Sequence, residues 1–285
     1  MFLIIGYVVI LLASLGTYAM HGSLLALWVP AEYLAIVGLT IGGFIAGNDI
    51  KVIKKTLGAL PSVLKGSKFT KTLYIDLLAM LFEVLAKVRK EGLMSIEADV
   101  EDPGSSPIFG KYPALQGDHH VMEFITDYLR MMVGGNLNTV EIESLMDMEI
   151  ETHHHEVAEP GHVMAKMADA LPAFGIVVAV MGVVNVMGSV GEPPAVLGKM
   201  IGGALVGTFL GILISYGFVA PIATLLEQKA HESGKIYHCI KAVLLASMSG
   251  YAPQVAVEFG RKALESGVRP SFIELETELK ARRGK

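Results

Sequence analysis

One cysteine, Cys239, and one tryptophan, Trp28, are all that 285 residues hold of those two types. A lone thiol closes no internal disulfide, which suits a chain whose soluble mass faces a reducing compartment. Basic charge is short as well: 23 Lys and Arg against 28 Asp and Glu leave a net charge of -5 and a pI near 6.0. Without a basic field, nucleic acid is excluded as a partner class. No glycine-rich phosphate loop, nucleophile elbow or pair of catalytic carboxylates occurs in a convincing context, so nothing supports an enzyme or calls for a cofactor. The most informative lack is local. Between Pro172 and Val190, and again between Met200 and Pro221, there is no Asp, Glu, Lys, Arg or His.

Those two charge-free runs sit in a chain that is 52% hydrophobic with a mean hydropathy of +0.52, yet 18% charged. That is too apolar for an ordinary soluble domain and too charged to lie wholly in lipid, so a membrane part with a cytoplasmic part is expected. Each run is about 20 residues, enough to cross a hydrocarbon core of about 30 Å at about 1.5 Å per helical residue. With GEPPAVLGK between them, they predict a helical hairpin over 171–223. Its small and mildly polar stripe comprises Ala179, Gly182 and Asn185 on one arm and Thr208, Gly211 and Ser215 on the other. Gly203, Gly207 and Gly211 repeat every four residues, which lets another helix come close. Tight contact within an oligomer explains such a repeat; so does an ion path whose charged group another chain supplies, since an ion in a low-dielectric layer needs a charge or oxygens in place of its water.

Two further apolar runs come first. Phe2 to Met20 has no basic start and no clear small-residue cleavage site, so it reads as a retained membrane helix. The second, Leu34 to Ala46, spans only if Glu32 and Asn48 reach the two interfaces; Gly38/Gly42 and Gly43/Gly47 offer close contact within it. Trp28 and Tyr33 are expected at interfacial depth, and Pro30 just before a helix. The connector 21–33 holds no Lys or Arg and 191–199 holds only Lys199, whereas 49–170 holds 12 and 224–285 holds 10. By the positive-inside rule the two long segments and both chain ends are cytoplasmic.

The expected division is therefore a first transmembrane hairpin at 1–48, a cytoplasmic helical domain at 49–170, a second hairpin at 171–223 and cytoplasmic C-terminal helices at 224–285. Within 71–92, apolar positions 73, 77, 78, 81, 84, 85 and 88 form a helical stripe with a glycine stop, and 119–135 repeats the design. A third helix starts after Asn138 with acidic residues in its first turn and continues toward the third span. The fourth span continues past Thr224, Pro253 opens another helix, and RPSFIELETELKARRGK is an amphipathic piece with a basic tip that is either a solvated tail, the default, or laid against anionic headgroups. The fold class is an all-α polytopic membrane protein, with four transmembrane helices in two hairpins plus a helical cytoplasmic domain.

Two clusters invite a chemical reading. His153, His154 and His155, with Glu156, Glu159 and His162 nearby, suggest a metal site, but consecutive helical residues point about 100° apart, so the three histidines cannot share one ion. His155 shares a face with Glu159 or His162 at most, and an incidental role is expected. The second cluster sets Lys87, Arg89, Lys90 and Glu91 before Glu97, Asp99, Glu101 and Asp102. It is either a solvated surface that complements a helix end or a docking site for a partner of complementary charge.

The stretches DALPAFGIVVAVMGVV, VGTFLGILISYGFVAPIAT, GALP at 58–61, NTVEIESLMDMEIETH, GYAPQVAVEFGRK and RPSFIELE resemble, in this order, the MotA family of flagellar-motor stator subunits. The resemblance implies a bacterial inner-membrane protein of motility and chemotaxis, a homo-oligomer of five copies around two copies of a single-span MotB-like partner that carries the ion-binding aspartate. It further implies that Pro172 and Pro221 couple ion movement to conformational change, that Thr208 lies near the ion path, and that Ala179, where sodium-driven relatives have a threonine, goes with proton transport; Ser215 joins the candidate ion path from the polar stripe read above. Arg89 and Glu97 match the pair that meets the rotor protein FliG, with Glu149 and Glu151 as further contacts. A TolQ/ExbB-like energiser of an outer-membrane system is the nearer alternative, and a self-contained channel or transporter the more distant one.

Overall fold

The computed structural model describes residues 2–135 and 138–283, and among them no strand occurs. In chain order the α-helices of five or more residues are α1 (Phe2–Ala19), α2 (Pro30–Ala46), α3 (Ile50–Ala59), α4 (Lys71–Glu91), α5 (Glu97–Glu101), α6 (His119–Gly134), α7 (Thr139–Met187), α8 (Pro194–Ile214), α9 (Ala220–Met248), α10 (Pro253–Ala263) and α11 (Phe272–Arg283). The expected all-helical class is what the chain adopts. Among the described residues three stretches are long and apolar enough to cross a membrane: α1, α7, and the continuous Pro194–Met248 helix that comprises α8 and α9. The apolar α2 is shorter, at 17 residues.

Local chemistry sets most boundaries. Pro30 opens α2 and Pro253 opens α10, positions where a missing N–H costs nothing and a fixed φ helps. Helix α2 thus begins four residues before the apolar run, which brings Glu32 into its first turn instead of leaving it in the connector. Gly92 and Gly135 follow α4 and α6 at φ of 87° and 70°, a region open to glycine at little cost. Asn138 and Glu141 cap α7 reciprocally: the Glu141 N–H donates to Asn138 Oδ1 at 2.9 Å, and the Asn138 N–H to Glu141 Oε2 at 3.1 Å. From that start α7 runs 49 residues, through Pro160 and Pro172, without a break.

By internal contacts the chain forms two compact units, one of Met1–Gly66 with Val157–Gln228 and one of Ser67–Glu156 with Lys229–Lys285. The first unit buries little. Ile36, Leu171, Val178, Val206 and Leu210 make one small cluster, and Met164, Ala223 and Leu226 a second, packed against Ala59, Leu60 and Val63. No residue of Phe2–Leu11 is buried, and Met181 and Val184 of α7 are 62% and 66% exposed. So much uncovered apolar surface requires lipid or other chains around it.

The second unit has a conventional core. Leu77, Leu81 and Leu85 of α4 meet Phe124, Ile125 and Leu129 of α6, Met146 of α7, Ile240 and Val243 of α9, Val257 of α10 and Leu275 of α11 in one cluster. Helix α4 is central to it, so the expected stripe is widened: Tyr74, Met80 and Phe82 are buried too. Cys239 is completely buried there, and burial pushes its thiol well above the usual range.

The expected amphipathic piece at the C-terminal end is docked on the core of the second unit. Leu275 and Leu279 of α11 are buried, Arg282 bonds Asp76 of α4 at 2.7 Å and stacks its guanidinium over the Tyr112 ring, and Glu274 meets Lys71 at 2.7 Å. Two apolar residues one helical turn apart, with a salt bridge at each end, suffice to dock the helix. Gly284 and Lys285, part of the expected basic tip, lie outside the described residues.

Candidate functional site

Helices α7 and α8 touch backbone to backbone. A Cβ on Gly211 would come within 2.8 Å of the Leu171 carbonyl, and one on Gly175 within 2.8 Å of the Gly207 carbonyl. Gly182 faces Ala204 in the same way. Of the glycine repeat read from the sequence, Gly207 and Gly211 make this seam while Gly203 faces open space. On α2, Gly38 and Gly42 also face open space and only Gly43 meets a neighbour, the Phe174 ring. Ala179 and Thr208 lie at the seam: the Ala179 nitrogen is 3.4 Å from a Cβ built on Gly207, and the Thr208 Cα equally far from one on Gly175.

Pro172 has no N–H to give to the carbonyl four residues earlier, that of Ala168. In a membrane such an orphan must find a partner. Ser215 supplies it: its hydroxyl, completely buried, donates to the Ala168 oxygen at 2.5 Å. Ser215 begins a π turn, Ser215–Val219, that separates α8 from α9 just before Pro221. Such turns absorb an extra residue where a helix cannot keep its regular ladder. There Tyr7 of α1 donates to the Phe218 carbonyl at 2.7 Å, and its ring lies 4.9 Å from that of Phe218. Both prolines thus adjoin carbonyls served by side chains from other helices.

Glu32 reaches the α7–α8 seam away from the prolines, although the sequence singled it out only as an interfacial residue. A Cβ on Gly207 would lie 2.9 Å from Glu32 Oε2, and one on Gly182 3.8 Å from Oε1, so the carboxyl is seated against the α7–α8 seam. The charge-free hairpin therefore has an acid beside it, contributed by another helix of the same chain. An acid in the first turn of a short apolar helix was the available signal.

In the second unit the charge cluster separates into paired and unpaired members. Lys87 meets Asp99 at 2.7 Å, and Asp99, 4% exposed, also accepts from the Ser106 hydroxyl at 2.6 Å. Glu101 pairs with Arg130 at 2.9 Å, Lys90 with Glu91 at 3.6 Å, and Asp102 accepts from the Ser105 N–H. Arg89 and Glu97 are exposed and, among the described residues, in no ion pair; Arg89 reaches only the Gly250 carbonyl, at 3.5 Å. Glu149 accepts from the Tyr128 hydroxyl at 2.6 Å, and Glu151 lies 3.8 Å from His155. No contact joins either acid to Arg89 or Glu97 among the described residues.

The histidines diverge as the helical geometry requires. His153 packs against Tyr237 with ring centroids 4.6 Å apart and planes tilted by 59°, whereas His155 turns to Glu151, His162 to Glu227 and Glu159 to Lys55. Burial, and then the neighbouring His120, hold the His153 pKa below its ordinary value.

The chain is 52% identical over 282 residues to motility protein A of Escherichia coli strain K12, spanning 99% of this chain and 96% of that one. The chain belongs to the motility protein A family. The profile for the motility protein A N-terminal region matches residues 4–92, and that of the MotA/TolQ/ExbB proton channel family matches 116–238. Chemotaxis protein LafT of Vibrio parahaemolyticus is 33% identical over 98% of this chain and 99% of its own. Among solved structures, the flagellar MotAB stator complex from Bacillus subtilis superposes with a TM-score of 0.69 at 26% identity, covering 90% of this chain and 92% of that one. C. jejuni MotAB matches in fold with a TM-score of 0.74 at 20% identity, covering 95% of this chain and 98% of that one.

Within the motility protein A family profiles, Glu32 and Arg89 fall in the first matched region. Glu149, Glu151, Pro172, Ala179, Thr208, Ser215 and Pro221 fall in the second. Glu97 lies between the two.

Proposed function

We propose that this chain is the stator subunit of a bacterial flagellar motor: with a MotB-like single-span partner it forms a proton channel that converts ion flow into torque. Near-complete coverage of the Escherichia coli motility protein A at 52% identity carries the reading. The geometry fits it. The arms of the hairpin approach through glycine, carry no carboxylate of their own between Pro172 and Val190 or Met200 and Pro221, and leave a broad apolar face to be covered by further subunits and lipid. The partner contributes the aspartate that takes the proton in the pore lined by the third and fourth spans.

In this reading α2 completes a set of four spans in the inner membrane, with both termini and the long segments cytoplasmic. Five copies surround two partner chains. Neutralising a buried carboxylate changes its desolvation by several kcal/mol, enough to shift a two-state helix contact at Pro172 and Pro221. Ala179 in place of a threonine leaves the path few oxygens, which favours a proton over sodium. Arg89 and Glu97 remain available for opposite charges on the rotor protein FliG, with Glu149 and Glu151 as secondary contacts.

Expression in a bacterium deleted for its own motility protein A tests the reading. Restored swimming, and a native complex holding five copies with two of a single-span chain that bears an intramembrane aspartate, are expected. Copurification with a TonB- or TolA-associated chain and no restored motility would place the chain with the TolQ/ExbB energisers instead.

A further inference from the structure

Glu32 has no part in the mechanism above. Its carboxyl occupies a slot that exists because residue 207 is glycine: any Cβ there would lie 2.9 Å from Glu32 Oε2. That oxygen is buried and has no hydrogen-bond partner among the described residues. Buried polar atoms are almost always partnered, and an ionised carboxylate only accepts, so what is missing at Oε2 is a donor or a proton.

The same side chain borders a cavity of about 940 Å³ formed by Trp28 and Pro30 before and within α2, Asn185 of α7, and Lys199 and Phe209 of α8. Among the described residues, the facing groups that titrate or carry charge are Lys199 from α8 and Tyr18 from α1, and the polar group that α7 presents is the Asn185 amide. Lys199 and the connector 21–33 lie at the end of the spans opposite to Pro172 and Pro221. Glu32 thus joins an open vestibule at that end to the glycine seam that runs toward the prolines.

We propose that Glu32 is a proton-binding group of the ion path, which collects protons in this vestibule and hands them to the seam; the inference rests on the channel reading above. A hydronium ion in the vestibule gives its proton to the carboxylate, leaving water and the neutral acid. The acid then releases the proton to the acceptor that the partner chain brings and returns to the carboxylate. No other atom changes hands. Such a collector matters when proton delivery limits the step, that is at low load and alkaline external pH, and little near stall, where mechanical work is limiting.

The test uses the full chain with its partner in a motility-deficient host. Wild-type complementation comes first, and failure there would count against the stator reading and not against Glu32. Glu32→Gln keeps the shape without the titration, and Glu32→Asp keeps a carboxyl. Expected are normal membrane levels and stator recruitment for both, a several-fold fall in the low-load speed of Glu32→Gln that deepens as external pH rises, torque near stall unchanged, and recovery in Glu32→Asp. Low-load speed of Glu32→Gln equal to wild type at alkaline pH would overturn the proposal. So would an equal loss of membrane level in both variants, which would make Glu32 a structural wedge.

Discussion

Removing the Ser215 hydroxyl tests whether the proline in α7 is tolerated because another helix completes its hydrogen bonding. Ser215→Ala leaves the Ala168 carbonyl, now bonded at 2.5 Å, with neither a helical nor a side-chain donor. An orphaned buried acceptor costs about 1–3 kcal/mol, and the deleted hydroxyl fits alanine without a clash, so this should be the whole effect. Pro172→Ala restores an N–H in reach of the same carbonyl. Ser215→Ala should then cost much less in that background, with a coupling of about 0.5–3 kcal/mol for two groups that share one partner. Unfolding of the purified complex in SDS, for wild type, both single variants and the double variant, measures the cycle. Infrared absorption of an isotope-labelled Ala168 carbonyl reports the bond directly and should shift to higher frequency in Ser215→Ala alone. An equal cost in both backgrounds, with no infrared shift, would refute the argument.

Pro172→Ala by itself should lower torque on a tethered motor at unchanged membrane level, and unchanged torque would count against a coupling role. Gly211→Ala should force α7 and α8 apart, because its Cβ would come within 2.8 Å of the Leu171 carbonyl; overpacking of this kind costs about 1–3 kcal/mol, and cysteine crosslinking yield across the seam should drop. Joint replacement Arg89→Glu with Glu97→Lys should abolish most swimming while membrane insertion and thermal stability stay normal, since neither side chain is in an ion pair among the described residues; a normally swimming double variant would sink the docking role. Swimming speed should be indifferent to external sodium at fixed pH, and a sodium-dependent speed would refute proton drive. For His153 the folded state holds the pKa below the unfolded value of about 6.5. The folded state therefore binds the proton less readily, and stability is complete above about pH 6.5 and falls as the pH drops through the folded value. Thermal melts over that range should show the decline, and His153→Gln should reduce it; an identical profile would show that other groups carry it.

Much of this was legible because it depends on neighbours in sequence. Charge-free runs, helix periodicity, the glycine stops at Gly92 and Gly135 and the Asn138–Glu141 cap are set by residues within a few positions of one another. The C-terminal amphipathic piece was legible but its docking was not: nothing near Leu275 and Leu279 announces that Asp76 and Lys71 of α4, some 200 residues earlier, meet Arg282 and Glu274. Nor did spacing reveal which members of the charge run were already paired, because Asp99 is satisfied by Lys87 and Ser106 and Glu101 by Arg130.

The membrane site divides in the same manner. Two prolines and a carboxylate-free hairpin could be read directly, since a missing N–H and a missing charge are properties of the residues themselves. Where the freed Ala168 carbonyl finds its donor, and where Glu32 places its carboxyl, were decided by the approach of helices distant in sequence. Hydrogen bonds and exclusion of water act over about 3 Å, a distance that only the tertiary structure closes between residue 168 and residue 215, or between residue 32 and residue 207.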